Sequence, residues 1–265
     1  MTVDDAGKAA PTLVLRKVAE ILNCFSIESP EPTLQEITRK TGLPSSTCQR
    51  LVQNMVREGF LDREGDHYRV GLGLVRWATA GTVGLDIVRL VKPILQELRD
   101  ETGETAIFYV RDGASRTVVA VAETRHVVIR PFMVGQVMPL HAGAPGKVFL
   151  AFDPDARTVL TASDLVKFTD STPDTFDRLD AQVSTTRSQG FCAAFRERDE
   201  GVGSISAPVF DHQARLAGAL GLGFPTQRIT DQDVPRLAPA VVRAAAAASR
   251  ALGYDALGTA PPAII

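Results

Sequence analysis

Apolar residues recur at helical spacing from the first described turn of pattern: Leu13, Val14, Val18, Ile21, Leu22 and Phe25 share one face. This predicts a helix that ends before Ser29-Pro30. Thr33-Leu34-Gln35-Glu36 then reads as a capping box, in which the Thr33 hydroxyl and the Glu36 carboxylate satisfy each other's backbone N–H groups. The short helix that follows runs through Ile37 and stops at Thr41-Gly42, a site for a left-handed cap. Leu43-Pro44 is a tight linker. A third helix, capped by Ser45 or Ser46, is expected to reach about Glu58, with Leu51, Val52, Met55 and Val56 facing inward. The pattern then changes to strand, turn, strand over 60–63, Glu64-Gly65-Asp66 and 67–70. Helix, helix, turn, helix and hairpin in this order form a winged helix-turn-helix.

The second part has a mixed texture. A connecting segment begins at Leu72 and leads into a long helix with Leu85, Val88, Leu90, Val91, Ile94, Leu95 and Leu98 apolar, ended by Gly103. Strands are predicted over 107–110 and 117–122, on either side of Asp112-Gly113, and over 127–130. Helices are predicted near 146–152, 155–162 and 176–189. Two further strands, 204–210 and 216–224, precede a final helix over about 231–252 that ends at Gly253. Strands early and late with helices between them indicate an α+β domain with an antiparallel sheet. The expected division is a loose arm over 1–11, a winged helix-turn-helix domain over 12–71, linker helices over 72–103, an α+β domain over 104–254 and a tail over 255–265.

The winged motif carries its own chemistry. Its second helix crosses the DNA backbone and its third lies in the major groove. The polar face of that third helix presents Ser45, Ser46, Thr47, Gln49, Arg50, Gln53 and Arg57. Hydroxyls suit phosphate oxygens, and Gln and Arg make two-point contacts to base edges. Arg63 and Arg69 add basic groups on the wing. No acidic residue occurs from Thr38 to Arg57.

Charge sharpens this reading. The chain has 265 residues with 29 Lys+Arg against 31 Asp+Glu, a formal net of −2. A uniformly basic nucleic-acid coat is excluded, but a local one is not. From Arg39 to Arg69 six basic residues stand against four acidic ones, a local net of +2. The three cysteines, Cys24, Cys48 and Cys192, form no CxxC pair, which excludes a zinc ribbon and a thioredoxin-type site and fits reduced thiols. The first twelve residues are acidic where a signal peptide would be basic, and the longest stretch without Asp, Glu, Lys or Arg, from Pro131 to Gly146, contains Pro139 and His141. The expectation is a cytoplasmic protein without a membrane span.

Several candidate motifs fail on spacing. Gly143-Ala144-Pro145-Gly146-Lys147-Val148 lacks the four-residue gap and the Ser or Thr of a P-loop. Gly203-Ser204-Ile205-Ser206 lacks the second glycine of a nucleophile elbow. His67, His126, His141 and His212 have no metal-ligand spacing, and His141 reads as structural, with a pocket role as the alternative. The charged run from Arg196 to Glu200 reads as a solvated loop, with a gating or dimer-contact role as the alternative. Trp77 reads as an anchor beside the linker or as part of a dimer interface. No catalytic residue, metal or cofactor is expected.

The order of motifs resembles one family across nearly the whole chain. Arg16-Lys17-Val18 through Phe25, Leu34-Gln35-Glu36-Ile37, Thr41 through Thr47, Arg50-Leu51-Val52 and Tyr68-Arg69-Val70-Gly71 look like the DNA-binding domain of the IclR family of bacterial transcription regulators. Pro139-Leu140-His141-Ala142 with Gly146-Lys147, then Gly190-Phe191, Glu200-Gly201-Val202, Ile205 through Val209 and Gly218 through Leu222, resemble its effector domain. The resemblance implies a GAF/profilin-like C-terminal domain with a ligand cavity, and adds Tyr68 to the DNA-facing set. It also implies a homodimer, or a dimer of dimers, on a pseudo-palindromic double-stranded operator, controlled by a small-molecule effector. Its effector-facing positions map to Met138, Gly143, Ala144, Pro145, Ala194, Ser204, Ser206, Gly221 and Gly223. Of the positions that present polar side chains in relatives, Ala194, Gly221 and Gly223 offer none here. That points to a roomier, less polar pocket and an aromatic or bulky effector, with backbone N–H groups near Ala144, Pro145 and Gly146 holding a carboxylate. Two other readings stand beside this one: a constitutive DNA-binding protein whose C-terminal domain only oligomerises, and an enzyme fused to a DNA-binding domain.

Overall fold

The computed structural model describes residues 13–26, 29–83, 86–126 and 131–254. The expected arm, the tail and the expected strand over 127–130 lie outside the described residues. The chain divides into two compact units, the first ending at Gly84 and the second beginning at Leu85.

In the first unit, α1 (Leu13–Leu22), α2 (Leu34–Thr41) and α3 (Ser45–Arg57) enclose a small core of Ile21, Ile37, Cys48, Leu51, Val52 and Met55. The capping box forms: Glu36 donates its backbone N–H to Thr33 Oγ1 at 3.3 Å, and its carboxylate accepts the Thr33 N–H at 2.8 Å. The start of α3 departs from expectation. Its N-cap is Pro44, and no side chain caps it, so Ser45 and Ser46 sit in the first turn. Proline's fixed φ, here −53°, sets the entry angle and leaves the serine hydroxyls outside. The wing is β1 (Leu61–Glu64) paired antiparallel with β2 (His67–Val70), with Leu61 opposite Val70. After it, α4 (Leu72–Val83) sets the Trp77 ring edge-on to Phe60 at 5.1 Å while leaving Trp77 largely exposed.

The second unit contains α5 (Asp86–Thr102), β3 (Thr105–Asp112), β4 (Ser115–Ala122), β5 (Val137–Pro139) and α6 (Ala144–Phe152). There follow α7 (Phe176–Gln189), β6 (Cys192–Phe195), β7 (Val202–Phe210), β8 (Leu216–Pro225) and α8 (Val234–Ala251). The strands make one antiparallel sheet in the order β5-β4-β3-β8-β7-β6. The pleat sends successive side chains to opposite faces. Phe108, Ile205, Leu220, Leu222 and Phe224 pack with Leu95 of α5 and Val241 of α8, whereas Ile107, Tyr109 and Val118 pack with Val148 of α6 and Val183 of α7. Register shifts between Phe108 and Tyr109 and between Val209 and Phe210 are the irregularities that bend such sheets.

Two predicted details fail. Residues 155–162 form turns and not a helix. There the Asp155 N–H donates to the Asp153 carboxylate at 3.0 Å and the Thr158 hydroxyl donates to Asp155 O at 2.8 Å, so local side-chain bonds replace a helical ladder. The three-residue β5 and the four-residue β6 were not anticipated, being too short for their alternation to register.

Glu104, just before β3, takes Arg228, just after β8, as a two-pronged partner at 2.6 and 2.7 Å. The carboxylate is almost fully buried and the guanidinium about a quarter exposed. Removing the anion takes the two-pronged carboxylate away from a partly desolvated cation. Glu104→Ala is therefore expected to cost roughly 2–4 kcal/mol in urea unfolding, discounted from a fully buried pair for the exposure of Arg228. A loss under about 0.5 kcal/mol would show that water replaces the carboxylate freely.

Candidate functional site

The first unit offers one polar surface with a geometric purpose. Ser45, Ser46, Gln49, Arg50, Gln53 and Arg57 are all exposed on α3, and Thr47 is half-buried. Opposite them Cys48, Leu51, Val52 and Met55 anchor the helix in the core. The missing side-chain cap leaves first-turn N–H groups facing solvent, and no acidic residue competes for them there. Among the described residues neither Arg50 nor Arg57 has an ion-pair partner. The wing arginines differ. Arg63 donates to Gly65 O at 2.8 Å and lies 3.9 Å from Asp66, and Arg69 pairs with Glu64 at 3.0 Å and Asp62 at 3.9 Å. Tyr68 corrects an expectation: it is buried in the core, because β2 points Tyr68 inward and Arg69 outward, and Arg63 lies over its ring at 5.8 Å.

The second unit contains a cavity of about 30 Å³ on the α6 face of the sheet, lined by Met138, Gly143, Pro145, Ala194 and Ser204 of the expected set. Tyr109, Arg116, Phe132, Glu197, Arg198 and Val202 also line it. Arg116 is only 3% exposed. Its Nη1 donates to Pro139 O and its Nη2 to Ala142 O at 2.8 Å, while Nε has no partner. No carboxylate among the described residues pairs with it. Its Cζ lies 5.8 Å from the centre of the Tyr109 ring, an electron-rich face that offsets part of the charge. Burial pushes the guanidinium down to about 10 and the Tyr109 phenol up to about 12, so near neutral pH the first is charged and the second is not.

Beside it lies a buried ion pair, Lys147 Nζ with Glu197 Oε1, the two residues 1% and 6% exposed. The other Glu197 oxygen accepts the Gly143 N–H at 2.7 Å, and the Ala144 N–H goes to Ser204 Oγ at 3.1 Å. Thr172 Oγ1 donates to Glu197 O at 2.5 Å. Gly143 takes φ 96°, and a Cβ at Gly146 would strike Leu140 O, so both positions require glycine. His141 donates from Nε2 to Val166 O at 2.9 Å, and burial holds it below the usual imidazole range, so it stays neutral.

These contacts correct the expected pocket in three ways. At the start of α6, Glu197 and Ser204 already take the Gly143 and Ala144 N–H groups and Pro145 has none, so of the expected carboxylate donors only the Gly146 N–H remains. Ser206 and Gly221 do not line the cavity: the Ser206 hydroxyl donates to Leu220 O at 2.9 Å, and a Cβ on Gly221 would strike Ile205 O on the neighbouring strand. Gly223 does not open space either, since the Phe132 ring fills it, with Cζ 2.6 Å from where a Cβ would stand. The cavity is therefore small, with charged groups set among apolar walls. Arg116 had a sequence signal: it stands in phase with the buried residues of β4. Glu197 had none, sitting in a charged run that looks solvated.

Among the described residues no helix is long and apolar enough to cross a membrane, and no cluster of ligating side chains could hold a metal ion. Residues 14–65 match the IclR helix-turn-helix domain, and residues 79–250 match the bacterial transcriptional regulator IclR C-terminal domain. The chain is 29% identical over 246 residues to the HTH-type transcriptional regulator XynR of Escherichia coli, covering 91% of this chain and 98% of XynR. It is 30% identical over 255 residues to the glycerol operon regulatory protein of Streptomyces coelicolor, covering 90% and 96%. The fold is similar to that of an IclR-type transcriptional regulator from Silicibacter, with TM-score 0.80 at 24% identity over 91% and 97% of the two chains. It also resembles an IclR homologue from Microbacterium hydrocarbonoxydans complexed with 4-hydroxybenzoate, with TM-score 0.76 at 22% identity over 90% and 98%. A helix-turn-helix unit followed by a unit that matches the IclR C-terminal domain defines a DNA-binding transcriptional regulator. This chain belongs to the IclR family of bacterial transcriptional regulators.

The Phe132–Gly223 contact predicts non-additive stabilities. Gly223→Ala is expected to cost about 1–3 kcal/mol by overpacking, and most of that loss should vanish in a Phe132→Ala background. A double-mutant cycle by urea unfolding measures it, and additive losses would mean that the ring does not rest on Gly223.

Proposed function

We propose that the first unit reads a pseudo-palindromic operator as part of a homodimer in the cytoplasm, and that the second unit binds an organic acid with an apolar body. For DNA, the supporting features are the uncapped start of α3 and its unpaired arginines. Arg50, Gln49 and Gln53 are suited to base edges, and Ser45, Ser46, Thr47 and Arg57 to phosphates. Arg63 and Arg69 reach phosphate by exchanging the carboxylates of the wing for phosphates of the DNA backbone. Two-fold pairing of such units matches two half-sites one helical turn apart.

For the effector, the observation that carries the reading is Arg116: a buried, charged guanidinium with an unpartnered Nε on a cavity whose apolar walls include Tyr109, Phe132, Met138 and Ala194. Arg116 and Arg198 line this cavity as cations, while Glu197, its one lining carboxylate, is already paired with Lys147, so the cavity favours an anion. Burying an unpaired charge is costly, and a carboxylate relieves that cost. An effector of this kind controls operator affinity only through unequal affinity for two forms of the dimer.

Two measurements test the two halves. Arg50→Ala is expected to weaken binding to an operator selected in vitro by about tenfold or more, the scale of one two-point base contact. Unchanged affinity in an anisotropy titration would sink the assignment. In a thermal-shift series with benzoate, the wild type should gain stability, about 2.7 kcal/mol at one hundred times Kd, and Arg116→Met should gain none. Equal gains in both would remove Arg116 from the site.

A further inference from the structure

Phe132 lines two spaces at once. On one side is the 30 Å³ cavity, and on the other an open groove of about 500 Å³ bounded by Gln96, Arg99, Val121, Glu123 and Met133. Among the described residues no other lines both. Phe132 is 5% exposed, and its ring atoms Cε2 and Cζ occupy the space that a Cβ on Gly223 would need, with the Ile107 side chain next to that space. We propose that Phe132 is the gate and the size-selecting residue of the effector cavity, its ring standing in for the ring of an aromatic monoacid.

The volumes require something to move. A space of about 30 Å³ has room for only a couple of waters, while pockets for drug-sized ligands run from about 300 Å³ upward. The polar walls are held in place. Arg116 is tied to two loop carbonyls, Glu197 to Lys147 and Gly143, and Ala144 to Ser204. Phe132 has only van der Waals contacts to lose, since a phenyl ring makes no such bonds. Its outward path has apolar neighbours, because Met133 and Val134 are 41% and 58% exposed beside the groove. The slot it vacates, floored by Gly223 and Ile107, has the flat shape of a ring. Exchanging one ring for another conserves packing volume, which cores tolerate best. Gly223 keeps the slot deep enough for either ring. The cost of the outward state appears as a weaker apparent affinity, divided by the fraction of molecules with the gate open.

This gate rests on the organic-acid reading above, and the test separates the two. Acetate and benzoate are titrated by calorimetry into the full-length wild type, Phe132→Ala and Phe132→Leu, with circular dichroism melts to confirm that each is folded. The acetate Kd should change less than threefold across the three proteins. The benzoate Kd should fall at least tenfold in Phe132→Ala, with Phe132→Leu between. Benzoate binding equally well to all three, or acetate and benzoate tightening together, would overturn the gate alone. Binding of neither acid to any of the three would overturn the organic-acid reading and the gate with it.

Discussion

The Glu197 carboxylate holds the helical face of the second unit in place. One oxygen meets Lys147 Nζ and the other meets the N–H of Gly143, so a single group joins the body of α6 to the residue that starts it. Its own backbone carbonyl is held by Thr172. From beneath, Arg116 ties down Pro139 and Ala142 of the same stretch. A buried ion pair of this kind is weak evidence for net stability, since desolvation offsets most of the attraction. Its effect is positional. With either partner gone, the other becomes an uncompensated buried charge, so alternative placements of the 139–147 segment are penalised.

That constraint explains what could be read from the sequence and what could not. The capping box at Thr33 and Glu36, the wing turn and α7 were legible because the interactions that make them span only a few residues. The winged motif was legible as the sum of such local signals, and the antiparallel second unit followed from the order of its strands. Tyr68 was misassigned because a motif position says nothing about phase, whereas the alternation of β2 puts it inward. The floor of the cavity was misread for a different reason. Gly221 and Gly223 look alike in the sequence, yet one makes room for the backbone of β7 and the other for a ring from a distant segment. Long-range occupancy of that kind leaves no periodic trace.

Charge is also distributed less evenly than the local net of +2 implies. On α3, Arg50 and Arg57 are unpaired among the described residues, whereas the wing arginines are already matched to Asp62, Glu64 and Asp66. Phosphate contacts from α3 add favourable charge outright. Contacts from the wing trade one anion for another and gain less. Salt dependence of DNA binding should then be dominated by α3, where Arg57 is suited to phosphate, with the serines and helix N–H groups adding geometry and little charge.

A regulatory domain whose cavity is nearly filled by its own side chains has a physical consequence. A preformed, empty pocket lets a ligand bind without disturbing its walls, and such a ligand has little with which to favour one arrangement over another. Here the polar walls are fixed by hydrogen bonds and ion pairs, so the volume a ligand needs must come from a discrete change in the packing of the apolar ones, Phe132 first among them. Close-packed interiors change in steps and not continuously. The same tightness that makes the unoccupied domain self-complementary therefore makes its occupied form a distinct state, and a difference in state is what a regulator must transmit to its DNA-binding surface.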